Sequence, residues 1–454
     1  MKRKRKHWSA RRIVVLLLLC TPLVAHVFVA IITLRHSDNR VPILFAQFSV
    51  AGLLIFLVIL VVRYLLVMAM AYQHFRSCPN SETANALAGI SGGDHEARDW
   101  PGVSILVPAY NEGKVINASI LSLLSLHYPQ FEILVIDDGS SDDTLALARS
   151  HKGKHAGAFV TVLSQPNSGK SAALNLGIRK SMYDFIMCVD ADSKIEEDSL
   201  LHAMRHFDDP NVAAVAGNVK VVNRQHFLSA LQSLEYIQGL NLVRRAQGLF
   251  GAVNIIPGPC GVFRKSVLQA VQGYDHDTFA EDCDLTIKIL GTGQKIVYEP
   301  FAVAWTEAPE SVDMFMRQRY RWTRGIMQSL RKHSAFMKKG TSRSARITLW
   351  YMVFEALIWP AMNIFATFMF LYIVFFFSLG RYVILWWIQL TVMDFAAAVL
   401  CLMMERESLK WAMLSIPYRF VFVTMTDVCK LLASFEEVFS VEMTWGKMER
   451  MGRI

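Results

Sequence analysis

The chain has 454 residues, 53% of them hydrophobic and 19% charged, with a formal net charge of +9. It is too long for one ordinary soluble domain and more apolar than such domains usually are, so part of it is expected in a bilayer. The seven cysteines, at 20, 78, 188, 260, 283, 401 and 429, include no C-x-x-C pair, which argues against a disulfide framework or a zinc cluster and fits a reducing compartment.

Residues 1–12 carry Lys2, Arg3, Lys4, Arg5, Lys6, Arg11 and Arg12. Directly before an apolar span, such a run marks the cytoplasmic side of a membrane rather than a nucleic-acid surface. Residues 13–34 are uncharged, long enough to cross the hydrocarbon core and too long for a signal-peptide core. A large Leu19 precedes Cys20 where a lipidation site needs a small residue, so Cys20 reads as apolar filler. A second span is expected over 44–62, with Arg63 placed to reach the head groups. Two crossings bring the chain back to the cytosol, where the polar residues 78–100 read as a linker.

From 103 to about 299, short apolar runs alternate with helix-like stretches. Runs 103–107, 131–136, 159–163, 185–189 and 212–216 are strand candidates, and the alternation predicts a mostly parallel α/β sheet. In such sheets ligands bind at the C-terminal ends of strands. Polar clusters stand there: Tyr110 to Glu112 after the first run, Asp137 to Ser140 after the second, Asp190 and Asp192 after the fourth.

Each cluster also has a plainer reading. Asp137 to Ser140 is good turn chemistry. Asp190 and Asp192 do not open a calcium loop, because the sixth position is Ile195 and the twelfth Leu201. Gly169, Lys170 and Ser171 do not complete a phosphate-binding P-loop, because Ser164 stands where that motif needs Gly. Asn117 to Ser119 is a glycosylation sequon that a cytosolic location leaves unused.

Together the clusters meet one chemical need. Two carboxylates one residue apart, Asp190 and Asp192, can hold a hard cation, Mg2+ or Mn2+, against a diphosphate. Lys170 adds positive charge, while Tyr110 and Asp138 can stack on and hydrogen-bond a base. Glu281 and Asp282 begin a helix, either as a pair favoured by its dipole or as a base for an acceptor hydroxyl. Residues 311–339 read as a basic amphipathic helix suited to a membrane surface. Within it Gln318, Arg321 and Trp322 fall on one face, where they can meet a diphosphate and a sugar ring. Apolar stretches return at 349–379 and 383–404, a hairpin turning at Gly380 and Arg381. The less apolar 411–435 contains Pro417, Arg419, Asp427 and Lys430, and can span, lie at the interface or line a polar path.

The ordered series Val107 to Glu112, Asp137 to Ser140, Asn167 to Lys170 with Ala173 to Asn175, Asp190 to Asp192, Gly258 to Gly261, Glu281 to Thr286 and Gln318 to Trp322 resembles the processive family 2 glycosyltransferases. These include the synthases of cellulose, hyaluronan, chitin oligosaccharides and poly-N-acetylglucosamine. The resemblance covers about 103–327 and the flanking apolar segments. It implies an α/β GT-A nucleotide-diphospho-sugar transferase domain combined with α-helical transmembrane segments. It also implies a UDP-sugar donor, inversion to a β linkage, and export of the growing polysaccharide acceptor through the lipid bilayer.

By that resemblance Tyr110, Glu112, Asp138, Lys170, Asp190 and Arg321 bind the nucleotide sugar, and Asp190 and Asp192 bind metal. Asp282 with Glu281 is catalytic, with Asp282 as the base. Gly258, Pro259, Cys260, Gln318 and Trp322 lie toward the acceptor and channel. The family's usual Thr before the Glu-Asp pair is Ala280 here, which touches only a secondary hydrogen bond. The compact layout and the 445–450 tail resemble the poly-N-acetylglucosamine synthases most.

The expected organisation is a basic N-terminus and two transmembrane helices (1–72), a linker (73–100), the cytoplasmic catalytic domain (101–310), the interface helix (311–345), C-terminal membrane or interface helices (346–435) and a tail (436–454). The whole is expected as a multi-pass protein of the plasma (inner) membrane, polymerising UDP-N-acetylglucosamine. A small accessory membrane subunit is compatible with this layout, and no nucleic-acid partner is expected. Hyaluronan-, cellulose- or other glucan-type products, and a non-processive transfer to a lipid carrier, stand as alternatives. A non-catalytic scaffold would not need the complete carboxylate set.

Overall fold

The computed structural model describes residues 43–78, 100–155, 157–339, 341–376 and 380–439. The basic terminus, the expected span 13–34, nearly all of the linker and the 445–450 tail lie outside the described residues. The chain divides into two compact units, one of Met1–Ala69 with Trp359–Val428 and one of Met70–Ile358 with Cys429–Ile454.

The second unit is built on a nine-stranded sheet, with strands β1 (Val103–Ala109), β2 (Phe131–Asp137), β3 (Gly153–His155), β4 (Ala158–Ser164), β5 (Phe185–Cys188), β6 (Ser193–Ile195), β7 (Val212–Val221), β8 (Gly261–Arg264) and β9 (Lys295–Thr306). Their order is β3-β4-β2-β1-β5-β8-β7-β9-β6. All five expected runs are strands. β1 and β2 are buried at every position, as expected of strands covered on both faces. The sheet is nevertheless mixed rather than mostly parallel. β2 pairs parallel with β1 and β4, β1 with β5, and β7 with β9. β3, β6 and β8 run antiparallel to their neighbours. β8 starts at Gly261 straight out of the Gly258–Cys260 turn, too short and too close to a turn to show an apolar run.

One face of the sheet packs on a core that includes Ile116, Ile120, Leu200 and Leu201. The other packs on helices α1 (Lys170–Lys180), α2 (Glu281–Gly291) and α3 (Val312–Lys332), through Leu174, Ile178, Leu285, Ile289 and Leu330. Ser311 caps α3, its Oγ accepting from Met314 N. The expected basic helix 311–339 is therefore two helices, broken at His333 before Ser334–Lys338.

Inside this sheet Glu299 of β9 is fully buried, and its Oε2 accepts from Arg205 Nη2 at 2.5 Å and His206 Nε2 at 2.6 Å. Burial alone would raise its pKa, but His206 and Arg205 outweigh burial and hold it at about 2. Because the folded pKa is depressed, this stabilisation is present above the ordinary glutamate range and is lost as pH falls toward 2. Glu299→Ala strands the guanidinium. A destabilisation of about 3–5 kcal/mol is expected, read as a lower urea midpoint for unfolding of the purified protein.

The first unit contains helical segments rich in apolar residues. Across the described residues three helices are long and apolar enough to cross a membrane: Ala51–Ser77, Arg343–Phe370 and Trp387–Met404. The helix Ile43–Ser77 outruns the expected 44–62, because the residues after Arg63 are helix formers with no Gly or Pro to stop it. Arg63 lies over the Trp359 ring, 4.5 Å from its centroid. The 411–435 segment is not one of the three. It is helical throughout but irregular: a 3-10 segment Leu409–Leu414, a short α-helical piece Ser415–Pro417 and a π-helical segment Tyr418–Val423 run directly into helix α4 (Thr424–Val438). Its polar residues are engaged: Arg419 pairs with buried Asp394, and Asp427 accepts from Asn363 Nδ2 at 2.8 Å. Arg419 and Asp427 also line a mostly apolar cavity of about 730 Å3.

Candidate active site

The register of β1 against β2 pairs Ala109 with Asp137, so Tyr110 and Asp138 leave the sheet side by side. Asn111 holds the turn with a φ of 53°, its Oδ1 accepting from Ser141 N at 2.7 Å. Glu112 N donates to Thr144 Oγ1 at 2.7 Å. These strand ends open into a cavity of about 900 Å3, lined by Tyr110, Glu112, Asp138, Lys170, Asp190, Asp192, Glu281 and Arg321 among others. Eight of the residues singled out in the sequence thus meet in one place.

Asp138 is buried, and its carboxylate is used locally. Oδ1 accepts from Gln165 Nε2 at 2.7 Å and Ser168 N at 3.0 Å, and Oδ2 accepts from Gly169 N at 2.8 Å. It thereby shapes the loop that starts α1 and presents Lys170 at that helix's first position. The Lys170 ammonium lies 2.7 Å from Asp190 Oδ1 and 2.9 Å from Glu281 Oε1. Burial opposes its charge, but the two carboxylates more than offset that and hold its pKa well above the ordinary lysine value.

Glu281 and Asp282 open α2 without a side-chain cap. Burial first, and then the Glu281 carboxylate, push Asp282 up to about 6, against the pull of Lys170. Its Oδ1 accepts from Cys283 N at 2.7 Å. For Glu281 burial works upward too, but Lys170 outweighs it and the pKa is lowered. Adjacent carboxylates are thus driven apart in acidity, the pattern of an acid or base site. Asp282 sits behind the main cavity, beside a small one lined by Lys170, Asp190, Gly258 and Glu281.

Gly258 closes that wall. A Cβ there would lie 3.0 Å from Asp190 Oδ2 and 3.2 Å from Lys170 Nζ, so any side chain would crowd the ion pair. Cys260 is placed otherwise: it is fully buried, with Sγ 3.6 Å from Ala302 O, packed into the sheet rather than lining the cavity. On α3, Arg321 reaches the cavity, whereas Trp322 packs on Val219, Val221 and Tyr236, with the Arg319 guanidinium 4.5 Å from its ring centroid. Gln318 is buried. The i, i+3, i+4 spacing therefore splits between the cavity and the neighbouring β7 surface.

Asp190 and Asp192 fit a hard cation by donor chemistry, two carboxylates on one turn at the cavity, with Asp192 buried and Asp190 a quarter exposed. A larger acidic cluster, Asp275, Asp277 and Asp284, brings its oxygens within 4.8 Å of one another. Lys332 Nζ already sits among these oxygens, at 2.6, 2.7 and 3.2 Å, so an ammonium takes the place of an ion. Sequence reasoning missed His276, Thr278 and Phe279, which also line the cavity. Their only signal was position, directly before Ala280 and the carboxylate pair.

Residues 104–272 match the Glycosyl transferase family 2 model. This part of the chain is a family 2 glycosyltransferase domain. A solved mannosyltransferase of Pyrobaculum calidifontis, in complex with GDP-Man and Mn2+, shares its fold with a TM-score of 0.55 at 21% identity, over 84% of this chain and 99% of that one. In sequence the chain is similar to the poly-beta-1,6-N-acetyl-D-glucosamine synthase of Staphylococcus aureus (strain COL), 34% identical over 268 residues, 58% of this chain and 63% of that one. The synthase of Staphylococcus epidermidis is 34% identical over 263 residues, 57% of this chain and 62% of that one. The chain thus spans less than two thirds of the length of these curated relatives.

Proposed function

We propose that the chain polymerises UDP-N-acetylglucosamine into an exported β-linked polysaccharide, as a processive inverting glycosyltransferase. The observation that carries the reading is the convergence of Lys170, Glu281 and Arg321 at one strand-end cavity, with Asp282, raised to about 6, directly behind it. The likeness to the staphylococcal synthases supports the donor and the product.

In this mechanism Tyr110, Glu112 and the loop shaped by Asp138 hold the uridine end. Lys170 and Arg321 face the diphosphate, whose negative charge grows as it leaves. Mg2+ or Mn2+ bound by Asp190 and Asp192 would neutralise further diphosphate charge. The Asp282 carboxylate takes the proton of an acceptor hydroxyl. The hydroxyl oxygen forms its bond to the anomeric carbon while the bond to the diphosphate breaks on the opposite face, which inverts the centre. Gly258 and Pro259 border the acceptor end, and Gln318 and Trp322 guide the sugar leaving it. The catalytic domain is cytoplasmic, the helices cross the plasma (inner) membrane several times, and a small accessory membrane subunit is compatible with that arrangement. In this reading the catalytic part is kept at 101–310, while the linker starts only after the helix Ile43–Ser77 ends.

Membranes carrying the chain, given labelled UDP-N-acetylglucosamine with Mg2+ or Mn2+, are expected to release UDP and build polymer. UDP-glucose and UDP-glucuronic acid offered separately are expected to give little of either. Polymer from another donor would replace the substrate, and single-sugar transfer to lipid would replace the processive reading.

A further inference from the structure

Glu437, in the last turn of α4, belongs to the same unit as the cavity, and its side chain is only 14% exposed. Its Oε2 accepts from Arg324 Nε at 2.8 Å and from Gln328 Nε2 at 3.0 Å, both on α3. The other end of the Gln328 amide, Oε1, accepts from the backbone N of Phe279 at 3.0 Å. A carboxylate can only accept, so Glu437 dictates which way that amide points: nitrogen toward Glu437, oxygen toward the Phe279 N–H. On the same face of α3, Gly325 lets the helix close on the loop. A Cβ at Gly325 would lie 2.5 Å from both Cβ and N of Ala280. Phe279 and Ala280 lead directly into Glu281 and Asp282.

Resting on the reading above, we propose that Glu437 is a positioning residue for this carboxylate pair, acting through Gln328 on the backbone that carries it. Glu437 touches neither the donor cavity nor Asp282 and works through α3, holding the Gln328 amide against the Phe279 N–H and the Arg324 guanidinium that lies 5.7 Å from the Phe279 ring centroid. The sequence hides this, because Phe279, Gln328 and Glu437 are separated by 49 and 109 residues along the chain.

The test uses the full-length protein in membranes, with UDP-N-acetylglucosamine turnover and amide hydrogen exchange read side by side. Glu437→Ala is expected to lower kcat about tenfold, with the KM for the donor within about twofold of the parent, since misplacement affects chemistry more than donor binding. Amides 279–283 should exchange about tenfold faster. Gln328→Glu sets two carboxylates against each other and should impair kcat similarly. Adding Glu437→Gln to it puts an amide donor back opposite the 328 carboxylate while removing the oxygen offered to Arg324 Nε, so kcat should recover in part, at least about threefold above Gln328→Glu alone. No recovery of kcat in the paired swap over Gln328→Glu alone, or unchanged exchange at 279–283 in Glu437→Ala, overturns the proposal. The exchange measurement needs no turnover. A parent protein that releases no UDP from this donor would therefore sink the proposed function, while the Glu437 linkage would still be decided by exchange.

Discussion

Asp282→Asn is expected to lose about a thousandfold or more in UDP release while the protein still accumulates and binds donor. The substitution is nearly isosteric and keeps an acceptor oxygen for the 2.7 Å hydrogen bond from Cys283 N, so the start of α2 should hold. What disappears is the group able to take a proton. The parent adds a signature in pH. With Asp282 at about 6, the base is ionised above that value and protonated below it, so kcat should fall as pH drops through about 6 and level off above. Removing the Glu281 carboxylate, with Glu281→Gln, takes away the largest charged influence raising Asp282, and the midpoint should move to lower pH. An Asp282→Asn variant with near-parental turnover would end the base assignment.

Lys170→Met is expected to cost about a hundredfold in kcat, the scale seen when one charge stabiliser of a leaving group is removed. It also leaves Asp190 and Glu281 without the ammonium that bridges them at 2.7 and 2.9 Å. Lys170 is a force holding Asp282 down, so its loss should push the kcat midpoint to higher pH, opposite to Glu281→Gln. Opposite shifts in two neighbouring variants are hard to obtain from general damage to the fold. Parallel shifts, or none, would mean that Lys170 and Glu281 do not share the field of Asp282.

The site was more legible in the sequence than the sheet was. Tyr110, Asp138, Lys170, Asp190 and Glu281 sit on turns just past strands or at helix starts, where local pattern and polar chemistry agree. Besides β9, whose apolar run is interrupted by Glu299 and Pro300, β8 and β6 escaped notice because strands of four and three residues beside a turn carry little pattern to read. Their antiparallel pairing depends on partners tens of residues away. The burial of Cys260 was invisible for a similar reason: its side chain answers to Gly217 and Ala302, neither of which is near it in sequence. Gln318 and Trp322 share a helical face with Arg321 in projection, but the concave surface they meet spans both the cavity and β7. Asp138 shows a subtler limit, since the motif announces a functional carboxylate while the geometry spends it on the Gln165 to Gly169 loop.

The acidic cluster held by Lys332 has a mechanical consequence. Lys332 anchors Asp275 and Asp277 near one end of α3, Gln328 grips Phe279 a turn earlier, and Arg321 stands two turns before that. The segment 275–279 is thus riveted to the same rod that carries the diphosphate-facing guanidinium. Any tilt of α3 would carry the base-bearing segment and Arg321 together, so leaving-group stabilisation and proton removal would be geared to a single motion instead of being tuned independently.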